Sequence, residues 1–583
     1  MTSLSEWART AIADAEDEKE KSSLPEIADP HSNMSTANQL SISIARKFLE
    51  KASPTFLEHK LSSDDDRLVK VGRSLADLVA SADKNQSQQK SLGEEILKHA
   101  LLNVVDQCEI LASNDMKVPK VRFGKTGIDM PVLTLGCMRF QHTWDGTFAD
   151  FDKVNQEGQK NLTETIYHAV KNLGINHIET ARGYGSSELQ IGHAFKEIFA
   201  RGIKREDLIV QTKVNSMPAK NFRETLEKSF QLLGLDYIDL FSFHGVNMDY
   251  AYDLMFNNKG DENLMDIVNE YKAKGKIKHI GFSTHGQPEL IKRCIESNQF
   301  EYANIHYHAF GSYTASGGGE CGGNLDNVRL MKEKDMGVFI ISPYDKGGRL
   351  YAPSKKLRSL TLPDLEPIQY GPLWCMSHEY MDEENAPLHT MTIGAARPSD
   401  LDEPFVTACM FAKRREEMLG KVRNVATRLR NAEIDILGEE WVQNWHKGLR
   451  NCLTEDDAYE LGQIVWCHNL IKAFGMLDYA KDRYAMFDKN FNGWDFKLSN
   501  KENVKKGLIP WGYCPGIATP NDIGVDYAAL LLDVPDEQKA KVLDAIHFTY
   551  SYCSKKSTAN LPIPEEWECA YDMRPWTAFP ERG

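Results

Sequence analysis

From Val118 to about Lys413 the sequence alternates short β-branched or aromatic runs with amphipathic stretches of helical period, and few folds accommodate that rhythm. The runs are VLTLG (132–136), INHIET (175–180), LIVQTK (208–213), YIDLFSFH (237–244), IKHIGFS (277–283), YANIHY (302–307), GVFIISP (337–343) and TMTIGA (390–395). Between them lie helix candidates such as NLTETIYHAVKNLG, FRETLEKSFQLLG and NLMDIVNEYKAKG, each closed by a glycine where a helix C-terminus would turn left-handed. Eight such runs over nearly 300 residues predict an α/β fold of the (β/α)8 TIM-barrel type. A doubly wound sheet would more usually carry about five to seven strands.

The flanks read differently. Residues 1–118 form a polar, helical and partly flexible N-terminal region, with apolar residues at helix spacing in Ala37–Leu49, Leu68–Ala80 and Glu94–Leu111. After the barrel segment, 119–412, residues 413–583 form a helical C-terminal extension rich in Trp, Tyr and Arg. The 69 Lys and Arg against 84 Asp and Glu leave a formal charge of −15, which argues against nucleic acid because phosphate binding needs clustered cations. No window approaches the roughly 18 apolar residues of a membrane span. The first twenty residues hold six acids and no apolar core, unlike a secretory signal or an Arg-rich transit peptide. Eleven scattered cysteines without C-x-x-C fit a reducing, cytoplasmic compartment better than a disulfide framework or a metal site.

In such a barrel the chemistry lies at the C-terminal ends of strands and in the loops beyond. The second run ends on Glu179, the third on Lys213 and the fourth on His244, with Tyr184 one short loop past Glu179. A carboxylate beside a lysine keeps it charged, and a lysine beside a phenol lowers the phenol pKa. A histidine adds a donor for an oxygen gaining negative charge. Four such groups on one rim are suited to giving a proton to a carbonyl oxygen or taking one from an alcohol.

The motifs FGKTGIDMPVLTLGCMRF (123–140), HIETARGYGSSELQIG (177–192), VQTKV (210–214), LGLDYIDLFSFH (233–244), GKIKHIGFSTHG (275–286), SPYDKGGRLY (342–351) and IGAARPSDLDE (393–403) resemble the aldo-keto reductase superfamily. The likeness covers roughly residues 120–410, in the family's order. It implies a (β/α)8 barrel that moves hydride between NADPH and a small carbonyl or alcohol. It implies Tyr184 as general acid, Lys213 as its pKa-lowering partner and His244 as the histidine orienting the carbonyl. Ser283, Thr284 and Asn304 match positions that hold the nicotinamide carboxamide. Ser342, Tyr344, Lys346 and Gly348 match the segment that wraps the pyrophosphate, and Arg397 and Ser399 the one that grips the 2′-phosphate. An arginine fork is suited to phosphate, which favours NADPH over NADH. Glu179 stands where the family usually has aspartate, and its added methylene shifts the carboxylate by about a bond length. A nucleotide sensor or partner-binding protein with little turnover is the alternative that this substitution and the long flanks support.

Weaker signals point to ordinary structure. Gly317, Gly319 and Gly322 spell G-x-G-x-x-G, but about ten residues separate them from the preceding run, so a rim loop is expected. Asp488, Asn490, Asn492 and Gly493 imitate half a calcium loop, with Ser499 in place of the bidentate glutamate. HNLIKAFGMLDYAKDRY and YCPGIATPNDI resemble the ferredoxin-like appendage of some reductases. Cys514 stands alone there, so a module without its cluster is expected.

Overall fold

The computed structural model describes residues 8–14, 116–310, 323–381, 388–449, 461–487 and 526–570, together with isolated positions 17, 45, 48, 105 and 110. The apolar stretches of the N-terminal region, the glycine motif at 317–322, the calcium-like segment and Cys514 lie wholly or mainly outside these residues.

The chain enters through an antiparallel hairpin, β1 (Lys120–Arg122) against β2 (Asp129–Pro131), with Lys120 opposite Pro131. Eight parallel strands follow: β3 (Leu133–Gly136), β4 (His177–Glu179), β5 (Ile209–Asn215), β6 (Ile238–His244), β7 (Ile277–Ser283), β8 (Tyr302–Ile305), β9 (Gly337–Ile340) and β10 (Thr390–Gly394). Each pairs with the next, and β10 closes on β3 with Met391 opposite Leu133 and Gly394 opposite Gly136. Every run read from the sequence is therefore a strand of a closed barrel. β5 and β6 are buried along all but their last residue, as strands covered on both faces must be, with Gln211, Lys213, Asp239 and Ser242 set among their apolar residues.

The intervening helices include α1 (Gln156–Tyr167), α2 (Ser187–Ala200), α3 (Ala219–Leu233), α4 (Asp249–Phe256), α5 (Leu264–Ala273), α6 (Pro288–Glu296) and α7 (Leu325–Glu333). α3 stops at Gly234, whose φ of +65° lets the chain turn without a Cβ penalty. The hairpin, absent from the sequence expectations, closes the bottom of the barrel. Phe123 is fully buried there among Ile209, Leu240, Tyr302 and Phe339. A Cβ on Gly337 would lie 2.5 Å from the Phe123 ring, so this plug depends on the glycine.

Beyond β9 come α8 (Lys355–Thr361) and α9 (Pro367–Met381), and beyond β10 come α10 (Asp402–Lys413), α11 (Arg415–Leu437), α12 (Glu439–Asn444), α13 (Leu461–Phe474), α14 (Leu477–Phe487) and α15 (Asp536–Cys553). The later helices are cemented to the barrel rather than hung from it. Ser354 Oγ donates to the Phe474 carbonyl at 2.6 Å, and Arg428 reaches the carbonyls of Leu360 and Thr361. Leu350, Phe310, Phe474, Met476 and Trp567 belong to one hydrophobic core with the barrel residues. No helix among the described residues is long and apolar enough to cross a membrane, and none of their His, Cys, Asp and Glu gather into a metal-binding group.

Candidate active site

β4, β5 and β6 bring three of the expected residues to one rim, and the loop after β4 brings the fourth. Parallel register sets Glu179 opposite Gln211, Lys213 opposite Ser242 and Asn215 opposite His244, so the three functional side chains climb the barrel end in steps. Lys213 Nζ donates to Glu179 Oε1, to the Thr180 carbonyl at 2.7 Å and to Tyr184 Oη at 3.3 Å. Glu179 and Lys213 are buried, whereas Tyr184 and His244 are partly exposed. The Tyr184 and His244 rings meet edge to face with centroids 5.6 Å apart.

The extra methylene of Glu179 is accommodated beside Gly136, where a Cβ would come 3.5 Å from Glu179 Oε2. The carboxylate thereby reaches Lys213 directly. Burial, and after it the charge of Lys346, pushes the Lys213 ammonium well below the lysine range. The Glu179 carboxylate and the Thr180 carbonyl oppose this by accepting its protons. Burial, with Lys213 and Lys346, likewise pushes His244 well below the imidazole range, so the ring is neutral near pH 7.

The turn that carries Tyr184 is fixed by groups the sequence reading missed. Arg182 pairs with the buried Glu188 at 2.9 Å, and Thr212 Oγ1 donates to the other Glu188 oxygen at 2.5 Å. Gly185 has φ +54°, and a Cβ there would lie 1.9 Å from the Thr143 carbonyl oxygen. Arg182 and Glu188 were visible within HIETARGYGSSELQIG, six residues apart, but nothing in a linear sequence marks them as a pair.

Ser283 and Asn304 stand opposite each other at the ends of β7 and β8, both buried. Asn304 Oδ1 accepts from Gln211 Nε2 at 3.1 Å, and its buried Nδ2 has no hydrogen-bond partner within the protein. The Thr284 hydroxyl is used within its loop, donating to the Val246 carbonyl at 2.6 Å and accepting from Gly286 N at 2.8 Å.

The segment 342–351 is held from both sides. Asp345 pairs with Arg139 at 2.5 Å. Burial works to raise the Asp345 carboxyl, but Arg139 and Lys346 outweigh it and hold it low. The Lys346 carbonyl accepts from Tyr479 Oη at 2.9 Å and from Arg483 Nη2 at 2.7 Å, both on α14. Ser342 has φ +58°, and a Cβ on Gly348 would meet Met476 Cε at 2.9 Å. Tyr344 turns away from the rim into the core, where burial drives its phenol well above the usual range. Arg397 is partly exposed just past β10, its Nε 3.3 Å from Asp400, and Ser399 follows in the same turn.

The Aldo/keto reductase family model matches residues 132–311. Prostaglandin F synthase 1 of Bos taurus is 32% identical over 133 residues, covering 21% of this chain and 41% of that protein. D-galacturonate reductase of Hypocrea jecorina is 30% identical over 184 residues, covering 28% of this chain and 51% of that protein. The chain thus spans about half the length of these curated relatives. An aldo-keto reductase of Bacillus halodurans, solved in a holo form, is 21% identical, covering 52% of this chain and 96% of that one with a TM-score of 0.39. The matched residues run from β3 past β8 and include Glu179, Tyr184, Lys213 and His244, so the likeness to the aldo/keto reductase family lies in this part of the barrel.

Proposed function

We propose that this chain is an NADPH-dependent oxidoreductase acting on a small carbonyl or alcohol. The observation that carries the reading is the buried Glu179–Lys213 pair, with Lys213 Nζ 3.3 Å from Tyr184 Oη. NADPH, when bound, supplies the hydride. Tyr184 gives its phenolic proton to the carbonyl oxygen, and the Lys213 ammonium stabilises the phenolate that results. A lysine depressed by burial also passes a proton on readily, so Lys213 restores the phenol. Neutral His244 donates a hydrogen bond to the same oxygen without adding a charge.

The residues at the rim fit the cofactor. The buried Asn304 amide lacks a partner for its Nδ2 beside Ser283, which suits a carboxamide oxygen. Ser283, Thr284 and Asn304 would hold the nicotinamide side. Ser342, Lys346, Gly348 and the backbone at Tyr344 would hold the pyrophosphate, and Arg397 and Ser399 the 2′-phosphate. The sensor alternative drew on Glu179 and the long flanks; that Glu179 reaches Lys213 supports the reading with turnover.

The test is NADPH oxidation across a panel of aldehydes and ketones with the full chain. Tyr184→Phe is expected to lower kcat by about a hundredfold or more while NADPH still quenches protein fluorescence. Folded wild-type protein that binds NADPH but turns over no carbonyl would overturn the reading in favour of a sensor.

A further inference from the structure

The mechanism above uses the buried carboxylate of Glu179 and leaves a second one, Glu188, without a task. Glu188 is fully buried in the first turn of α2, and the two side chains it binds are buried with it. One of its oxygens accepts from Arg182 Nη1 at 2.9 Å and the other from Thr212 Oγ1 at 2.5 Å. Both partners adjoin reacting groups in the chain. Arg182 stands two residues before Tyr184, and Thr212 immediately precedes Lys213. Glu188 thus joins the strand that carries the lysine to the turn that carries the tyrosine.

Successive side chains of a strand point to opposite faces. On one face of β5, Lys213 meets Glu179 and Tyr184; on the other, Thr212 meets α2. Backbone bonds lay the start of the turn along β5, Thr180 N to the Gln211 carbonyl and Arg182 N to the Lys213 carbonyl, both at 2.9 Å. The chain then passes exposed Gly183 and enters α2 through Tyr184 N to the Ala181 carbonyl and Ser187 N to the Tyr184 carbonyl, both at 3.0 Å. Those two bonds stay within the turn, and Glu188 brings its far end back to β5. Arg182 Nη2 also donates to the Gly146 carbonyl, and Ser186 N to the Thr143 carbonyl at 3.0 Å, so the loop after β3 closes on the turn from outside.

A buried ion pair adds little net stability over apolar residues of similar volume, so its placement beside the site calls for another reason. Tyr184 is faced by Lys213 from β5 and by the His244 ring from β6. Glu179 from β4 binds Lys213, and Lys346 from the segment after β9 bears on both Lys213 and His244. The pull of an ammonium on a phenol fades with distance, so the 3.3 Å between Lys213 Nζ and Tyr184 Oη has to be held. We propose that Glu188 is a positioning residue for the proton transfer, setting that distance by binding Thr212 and Arg182 together. The catalytic consequence rests on the oxidoreductase reading, whereas the placement of Tyr184 can be read without turnover.

The experiment follows the Tyr184 phenol by carbon-13 NMR of the full chain labelled at tyrosine Cζ, with Tyr184→Phe identifying its signal. In the wild type this phenol is expected to titrate below the ordinary value of about 10. Thr212→Val keeps the side-chain shape and removes the bond to Glu188. It is expected to raise the titration by about one pH unit and to lower kcat on the carbonyl panel by about tenfold. Glu188→Gln should move both in the same direction. Thr212→Ser keeps the hydroxyl and should hold kcat within about twofold of wild type, with the titration in place. A merely structural role would lower the urea midpoint and leave the titration where it was. A wild-type Tyr184 titrating at the ordinary value would overturn the proposal. So would a titration unmoved in whichever of Thr212→Val and Glu188→Gln is folded, or moved as far by Thr212→Ser as by Thr212→Val. Absence of wild-type turnover across the carbonyl panel would overturn the oxidoreductase reading alone, and the titration would still decide whether Glu188 places Tyr184.

Discussion

At the scale of single residues, the proposed reaction hangs on how one carboxylate is placed. Glu179 and Lys213 are both buried, so each depends on the other for compensation of its charge. Removing one partner leaves the other as an uncompensated buried charge, whereas removing both leaves neutral groups of similar shape. Glu179→Gln or Lys213→Met alone should therefore destabilise the chain by about 3 kcal/mol or more. The double variant should recover most of that loss in urea unfolding. Turnover should stay lost in the double variant, because Tyr184 then has no ammonium at its oxygen. Equal destabilisation by the double and single variants would contradict the pairing.

At the scale of elements, α14 acts as a buttress for the segment 342–351. Tyr479 and Arg483, one helical turn apart, both donate to the Lys346 carbonyl, and Arg483 Nε also donates to Tyr479 Oη at 2.9 Å. Arg349 reaches Asp482 on the same helix at 3.4 Å. If this segment holds the pyrophosphate, Arg483→Leu should weaken NADPH binding by about tenfold through a looser loop, with no contact to the nucleotide required. Fluorescence titration reads the effect. An unchanged Kd would confine α14 to stability alone. The C-terminal extension thus contacts the segment 342–351 through α14, which the expectation of a ferredoxin-like module does not convey.

At the scale of the whole molecule, strand-to-strand ion pairs near the bottom of the barrel couple folding to acid. Glu301, just before β8, accepts from His279 Nδ1 at 2.7 Å, Lys272 Nζ at 2.5 Å and Ile280 N at 3.0 Å. Burial alone would raise its carboxyl, but these bonds outweigh it and hold the group at about 2 against an ordinary 4.5. A depressed carboxyl stabilises the fold fully above its unfolded value and ceases to do so as the pH falls through its folded one. Glu301 should thus contribute about 3 kcal/mol above pH ~4.5, lost progressively towards pH ~2. In Glu301→Gln the urea midpoint should fall less steeply over that window than in wild type. Parallel curves for the two proteins would contradict the assignment.

The barrel was legible because parallel strands buried on both faces are rich in apolar and β-branched residues, and the glycines that end helices can be counted from the sequence. The four catalytic candidates were legible for a related reason, since Glu179 and His244 end strands, Lys213 lies two residues before the end of β5, and Tyr184 follows β4 by a short loop. The hairpin under the barrel was not, because three-residue polar strands carry no period and the plug is a single phenylalanine. The Arg182–Glu188 and Arg139–Asp345 pairs and the α14 buttress were hidden in the same way. His306 and His308 are two residues apart, but only the fold brings His285 to within 2.5 Å of His306. By itself the sequence determined the number of barrel strands, their order and the residues near their ends, because these follow from local period and burial. Tertiary structure alone decided that Glu179 reaches Lys213 and that Tyr344 turns inward. Those outcomes depend on distances between elements far apart in the chain, and no local pattern encodes them.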